Sequence, residues 1–162
     1  MAAVDYFLKL DGIDGESKDD KFKNSIDVES WSWGEAQSGA NAAGGGGGAG
    51  KVSMQDFHFV MKVCTASPKL MLACANGDHI KTAELTCRKA GKDQQEYMKI
   101  KLTDLIVSSY QTGGSAGSSL IPSDQISLNY AKIEMEYKPQ TDTGALGTAV
   151  KAGWDVKTNK KV

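Results

Sequence analysis

Two tryptophans stand two residues apart, Trp31 and Trp33, with Ser30 and Ser32 interleaved between and before them. In a strand, side chains alternate between faces, so both indoles point to one side and both serines to the other. Indoles of that size dominate a small core. The segment 26–33 therefore reads as a strand with one apolar face and one small polar face. A connection of seventeen residues follows, Gly34 to Gly50, with five consecutive glycines at 44–48. A second strand begins near Val52 and carries Phe57, Phe59 and Met61 on one face, with His58 opposite. Connections this long without structure of their own are uncommon inside compact domains and are usually functional or disordered. Two readings stand: a surface loop, or a loop that orders against a partner. Ordering glycine-rich chain is costly, at ~1–2 kcal/mol per residue. A contact made through this loop is therefore expected to be weak for an isolated chain. Full amide protection across 40–50 in the isolated protein would contradict that.

The rest of the chain is mostly period two. Val4, Tyr6, Leu8 and Leu10 alternate with Asp5 and Lys9, while Phe7 breaks the pattern and is expected at an edge or interface. Residues 11–25 are polar and read as a loop, with Asp19 and Asp20 solvated. A phase slip between Val28 and Trp31 predicts a bulge. Ser67 to Gly77 reads as the one helix, with Ser67 as its cap, Pro68 in its first position and Gly77 ending it. Further strands are predicted over 80–90, 96–109, 126–130 and 133–137, and a Gly/Ser loop over 111–119. The phase switch after Tyr130 predicts a bulge or a strand shared by two sheets. Residues 140–162 read as a loosely packed tail, loop-like to 153, with a last short strand at 154–157. All of 1–162 fits a single domain, mainly β: a compact barrel or sandwich with one short helix. The two-sided apolar run 105–107 and the net charge of -1 favour association.

Composition excludes several functions. A net charge of -1 over 162 residues gives no basic footprint for nucleic acid. No run approaches the ~20 apolar residues of a membrane helix, and no signal peptide is visible at the N-terminus. Cys64, Cys74 and Cys87 have no metal spacing and read as free thiols in a reducing compartment. His58 and His79 are far apart and read as structural. Gly45 to Lys51 imitates a phosphate loop, but Val52 replaces the magnesium-binding hydroxyl and a strand follows instead of a helix. No GxSxG elbow occurs, and Ser108–Ser109 reads as a hydrogen-bonding pair. No catalytic residue, cofactor site or metal site is assigned.

Several motifs in order resemble the haemolysin-coregulated protein (Hcp) family of type VI secretion. They are Trp31-Ser32-Trp33-Gly34, then Gly50-Lys51-Val52, Gln55-Asp56-Phe57, Ser67-Pro68-Lys69-Leu70-Met71, and Arg88-Lys89-Ala90-Gly91 with Gln95-Glu96-Tyr97. Val107-Ser108-Ser109 and Thr112-Gly113-Gly114 complete the set. The resemblance implies a two-sheet β-barrel with one flanking helix, six copies of which close into a hexameric ring. Rings would stack into the inner tube of a contractile sheath and be expelled with a spike, without a signal peptide, after cytoplasmic assembly. Small effector toxins would be carried or protected in the lumen. Under that reading Ser30 and Ser32 are placed on the lumen wall. Gly44, Gly45, Gly46, Gly47, Gly48, Gly113 and Gly114 are placed in ring-stacking loops. The competing readings are a monomeric β-barrel binding a small ligand, such as a sugar, through loops 34–50 and 111–119, and a secreted hydrolase. The segment after Pro139 is too short for a toxin domain.

Overall fold

The computed structural model describes residues 4–37, 51–117 and 120–162. The glycines at 44–48, assigned above to a stacking loop, lie outside the described residues.

Six strands close on themselves. β1 (Val4–Leu10), β2 (Ile26–Ser32), β5 (Phe57–Lys62), β6 (Ile80–Lys89), β7 (Glu96–Gly113) and β8 (Ser123–Tyr137) pair in the cycle β8–β5–β2–β1–β6–β7 and back to β8. A two-stranded hairpin, β3 (Glu35–Gln37) with β4 (Val52–Met54), rises between β2 and β5. A second short pair, β9 (Val150–Asp155) with β10 (Lys160–Lys161), extends the sheet from β8. Every barrel pairing is antiparallel. Closure leaves no barrel strand with a bare edge, which removes the template for uncontrolled strand addition.

The core is the set of inward-facing residues that alternation predicts, among them Leu8, Leu10, Ile26, Phe57, Phe59, Met61, Leu85, Ile100, Leu102 and Leu128. Several irregularities make the strands curve. The pairing of β2 with β5 slips between Val28 and Ser30, as the phase change in the sequence required. In β7 the buried set moves from Ile100 and Leu102 to Leu105 and Val107, and Asp104 at the switch has φ 52. A second slip follows between Val107 and Ser109. Pairing with β8 stays in register through 105–107, where Leu105 and Val107 are buried and Ile106 is half-buried. Residues 126–130 and 133–137, predicted as separate strands, form the single strand β8, with β7 along one side and β5 and then β9 along the other, all in one sheet.

Several expectations need correction. The seventeen-residue connection has a paired stem, residues 35–37 with 52–54. β7 continues to Gly113 and β8 starts at Ser123, so Gln111, Thr112 and Gly113 belong to the strand and not to the predicted loop 111–119. The last long strand starts at Val150, not 154, and pairs with β8 from Lys132 to Tyr137. The helix α1 (Ala66–Asn76) starts one residue before Ser67, with Thr65 as its cap and no side-chain cap bond. The Ser67 hydroxyl is drawn elsewhere: it accepts from the Cys64 amide at 3.0 Å and donates to the buried Asp124 at 2.5 Å. Gly77 ends the helix at φ 68, as predicted.

The largest correction concerns the loop 11–25. It folds back over the outside of β1 and β6 instead of standing in solvent. Phe22 stacks on Phe7 with centroids 4.4 Å apart, so Phe7 is covered by its own chain and is not an interface residue. Arg88, with its side chain 3% exposed, lies against both rings, 4.8 Å from Phe7 and 5.5 Å from Phe22. Its guanidinium donates twice to Asp19, at 3.0 and 2.6 Å, and once to Asp5 at 3.2 Å. Asp19 is therefore paired, not solvated. The Arg88 hydrogen bonds hold its carboxyl below the usual carboxylate range. Asp27 moves the other way, raised first by burial and then by the charges of Asp5 and Asp19. Gly15 makes the fold-back possible: a Cβ there would meet the Ser25 carbonyl at 2.5 Å.

Candidate functional site

Chemistry with room to act lies on an outer wall of the barrel. β2, β5, β8 and β7 are neighbours, and their register lines up outward residues in rows. Ser32 pairs with His58, His58 with Ser127, and Ser127 with Ser109. The next row is Ser30, Val60, Gln125 and Gln111. Ser30, Ser32, His58, Gln125 and Gln111 are exposed, and Ser109 is half-buried. His58 Nδ1 and Ser127 Oγ are 2.6 Å apart. At one end of the wall Asp56 accepts from Ser108 at 2.6 Å and Asn129 at 2.9 Å. At the other end stands Lys62 beside Ser123. Ser108 thus bonds to Asp56 and not to Ser109, which corrects the expected serine pair.

Ser30 and Ser32 lie two and four residues beyond the buried Val28, and the bulge after Val28 reverses the phase, so both are outward. The indoles opposite them are half-buried against the core rather than within it. Trp31 meets Tyr6 edge-on at 6.2 Å and stacks on Phe57 at 6.0 Å. The Trp33 indole donates to the Tyr130 hydroxyl, which itself donates to the Gln55 carbonyl at 2.9 Å. That bridge fixes the root of the β3–β4 hairpin. Burial raises the Tyr130 phenol above its usual range, so it stays a donor.

The hairpin and the β7–β8 turn leave opposite ends of the barrel. β5 runs between them: its start continues from the hairpin, and its last residue, Lys62, pairs with Ser123 just after the turn. Gly113 closes β7 opposite Ser123, and Gly114 packs under Pro122, where a Cβ would sit 3.2 Å from Cγ. The stems of the two loops are thus not brought together, and a shared ligand site built from both within one chain gains no support.

The wall was only partly visible in the sequence. Alternation gives Ser30, Ser32 and the outward His58. It cannot give Ser127, Ser109, Gln125 and Gln111 as their neighbours, because pairing register is not local. His79 is elsewhere, exposed, 2.8 Å from Asp104, which Lys157 also contacts at 2.6 Å. Among the described residues no group of three His, Cys, Asp or Glu could hold a metal. No described helix is long and apolar enough to cross a membrane, which says nothing of β-barrels.

Fold and wall together define a class: a small closed antiparallel barrel with a polar outer wall and the stems of two glycine-rich loops at its opposite ends. The family model described as type VI secretion system effector, Hcp, matches residues 7–137, and the chain belongs to that family. It is 49% identical over 159 residues to Protein hcp1 of Pseudomonas aeruginosa, covering 97% of this chain and 98% of that one. The crystal structure of Hcp1 from Salmonella typhimurium superposes with a TM-score of 0.84 at 40% identity, over 99% of this chain and 100% of that one. A solved type six secretion system protein reaches a TM-score of 0.93 at 35% identity, with the same coverage.

Proposed function

We propose that this chain is a tube protein of a type VI secretion machine. Six copies close into a ring, rings stack inside a contractile sheath, and the stack leaves the cytoplasm with the spike. The protein is structural and not an enzyme. Small effector toxins ride in the lumen, against a wall that includes Ser30 and Ser32. The observation that carries the stacking part is the placement of the two loop stems at opposite ends of one barrel. One ring's hairpin loop, with glycines 44–48, can then meet the next ring's Gly113–Gly114 turn, head to tail. A heterologous contact of this kind propagates without limit along an axis.

Two measurements test the reading. Light scattering after size exclusion should give about six times the 17.3 kDa chain mass, and negative-stain images should show annular particles. A single-chain mass at high concentration would overturn it in favour of a monomeric ligand-binding barrel. For the wall, Ser32→Gln should lower retention of co-expressed effector while leaving the annulus intact. Unchanged retention would remove Ser32 from the lumen.

A further inference from the structure

We propose that the ring closes by docking the basic edge strand β10 of one copy into an acidic cleft beside β2 of the next copy. This rests on the ring reading above and names the two surfaces such a ring needs. A closed ring of like copies uses a heterologous contact, so each copy must present two unlike and complementary flanks. The sheet order β10–β9–β8–β5–β2–β1 puts β2 on one side of β5, and β8, β9 and β10 on the other. With the polar wall around β5 turned to the ring axis, β2 faces one neighbour and β10 faces the other.

The two flanks differ in charge, although the whole chain stands at -1. Residues 150–162 carry Lys151, Lys157, Lys160 and Lys161 against Asp155. Lys151 reaches Glu136 at 3.6 Å and Lys157 reaches Asp104 at 2.6 Å. Lys160 and Lys161, exposed on β10, have no ion-pair partner among the described residues. Lysines on an edge strand keep other strands from pairing there, so a contact at β10 is made by side chains and selected by charge. The cleft, of about 390 Å³, is rimmed by the exposed Glu16, Asp27 and Glu29 against Lys62. Both flanks also show apolar surface. Val63 and Ile121 line the cleft and are 37% and 57% exposed, while Val150 on β9 and Val162 after β10 are 67% and 52% exposed. Burying these apolar groups supplies affinity, and the opposite charges around them set partner and orientation.

The test uses two charge-reversed forms of the full chain, with assembly read by light scattering across a dilution series. Lys160→Glu with Lys161→Glu makes the edge acidic and leaves the cleft acidic. Glu16→Lys with Glu29→Lys makes the cleft basic and leaves the edge basic. Alone, each form should need at least about tenfold more protein than the unaltered chain to build the ring, because like charges meet at every junction. Mixed in equal amounts, the two should assemble where the unaltered chain does. Around six copies that alternate, reversed edge meets reversed cleft and original edge meets original cleft. Assembly of either form alone at the unaltered concentration overturns the docking. So does a mixture that stays unassembled while both forms melt as the unaltered chain does. Where a reversed form melts early, glutamine at the same two positions replaces it and should raise the required concentration about threefold, and no rise overturns the docking. An unaltered chain that builds no ring removes the ring reading itself, whereas a ring indifferent to these charges removes only the docking.

Discussion

Removing the Arg88 guanidinium is the sharpest perturbation the fold allows. In Arg88→Ala three charge-assisted hydrogen bonds vanish, two to Asp19 and one to Asp5. Taken singly at ~1.5–3 kcal/mol each they would sum too high, since they share one cation and are not additive. Breaking a buried pair by deleting one partner costs about 3–5 kcal/mol. The carboxylates are not fully buried here, with Asp19 20% and Asp5 37% exposed, so water recovers part of the loss. Packing on Phe7 and Phe22 is lost as well, worth about 0.5–2 kcal/mol. We expect about 3–4 kcal/mol in urea unfolding at pH 7, measured at fixed protein concentration. For a chain of this size that is a drop of ~6–16 °C in Tm. The pH dependence follows from Asp19. Its folded carboxyl is held low, so its contribution is present above the unfolded value of 3.8 and is lost as pH falls through the folded value. The gap between the two proteins should therefore narrow from pH 7 towards pH 3. A gap under about 1 kcal/mol at pH 7, or one that does not narrow in acid, would refute the clamp as the anchor of loop 11–25.

Three further outcomes are expected. Tyr130→Phe leaves the Trp33 N–H and the Gln55 carbonyl without their shared partner and should cost about 1–3 kcal/mol, seen as a lower urea midpoint and a changed tryptophan emission. Gly15→Ala drives a Cβ into the backbone of Ser25 and Ile26, which cannot swing aside as a side chain would. Loss of about 2 kcal/mol or more is expected from thermal melts, together with faster proteolysis within 11–25. The Cys87 thiol is pushed up to about 11 by burial, so at pH 8 it should resist a disulfide reagent until the protein unfolds. Rapid labelling of Cys87 in the native state would contradict the closed barrel around it.

Much of this protein was written in short-range pattern. Alternation named the core faces of β1 and β5, the slip at Val28 announced a bulge, and Gly77 marked the helix end, because each depends on neighbours a few residues apart. The motif order around Trp31-Ser32-Trp33 and Arg88-Lys89-Ala90-Gly91 was sufficient for the family. Long-range geometry decided the rest. Asp19 and Arg88 are 69 residues apart, and no local rule says that a polar loop will fold back to bury a cation against two stacked phenyl rings. Ser32, His58, Ser127 and Ser109 share one row only because three antiparallel registers align there. Ser67 likewise left its expected capping role because Asp124, brought in by β8, competes for its hydroxyl. Local periodicity fixes which way a side chain points. Which other side chain it meets is set by how the chain closes, and closure is a property of the whole barrel.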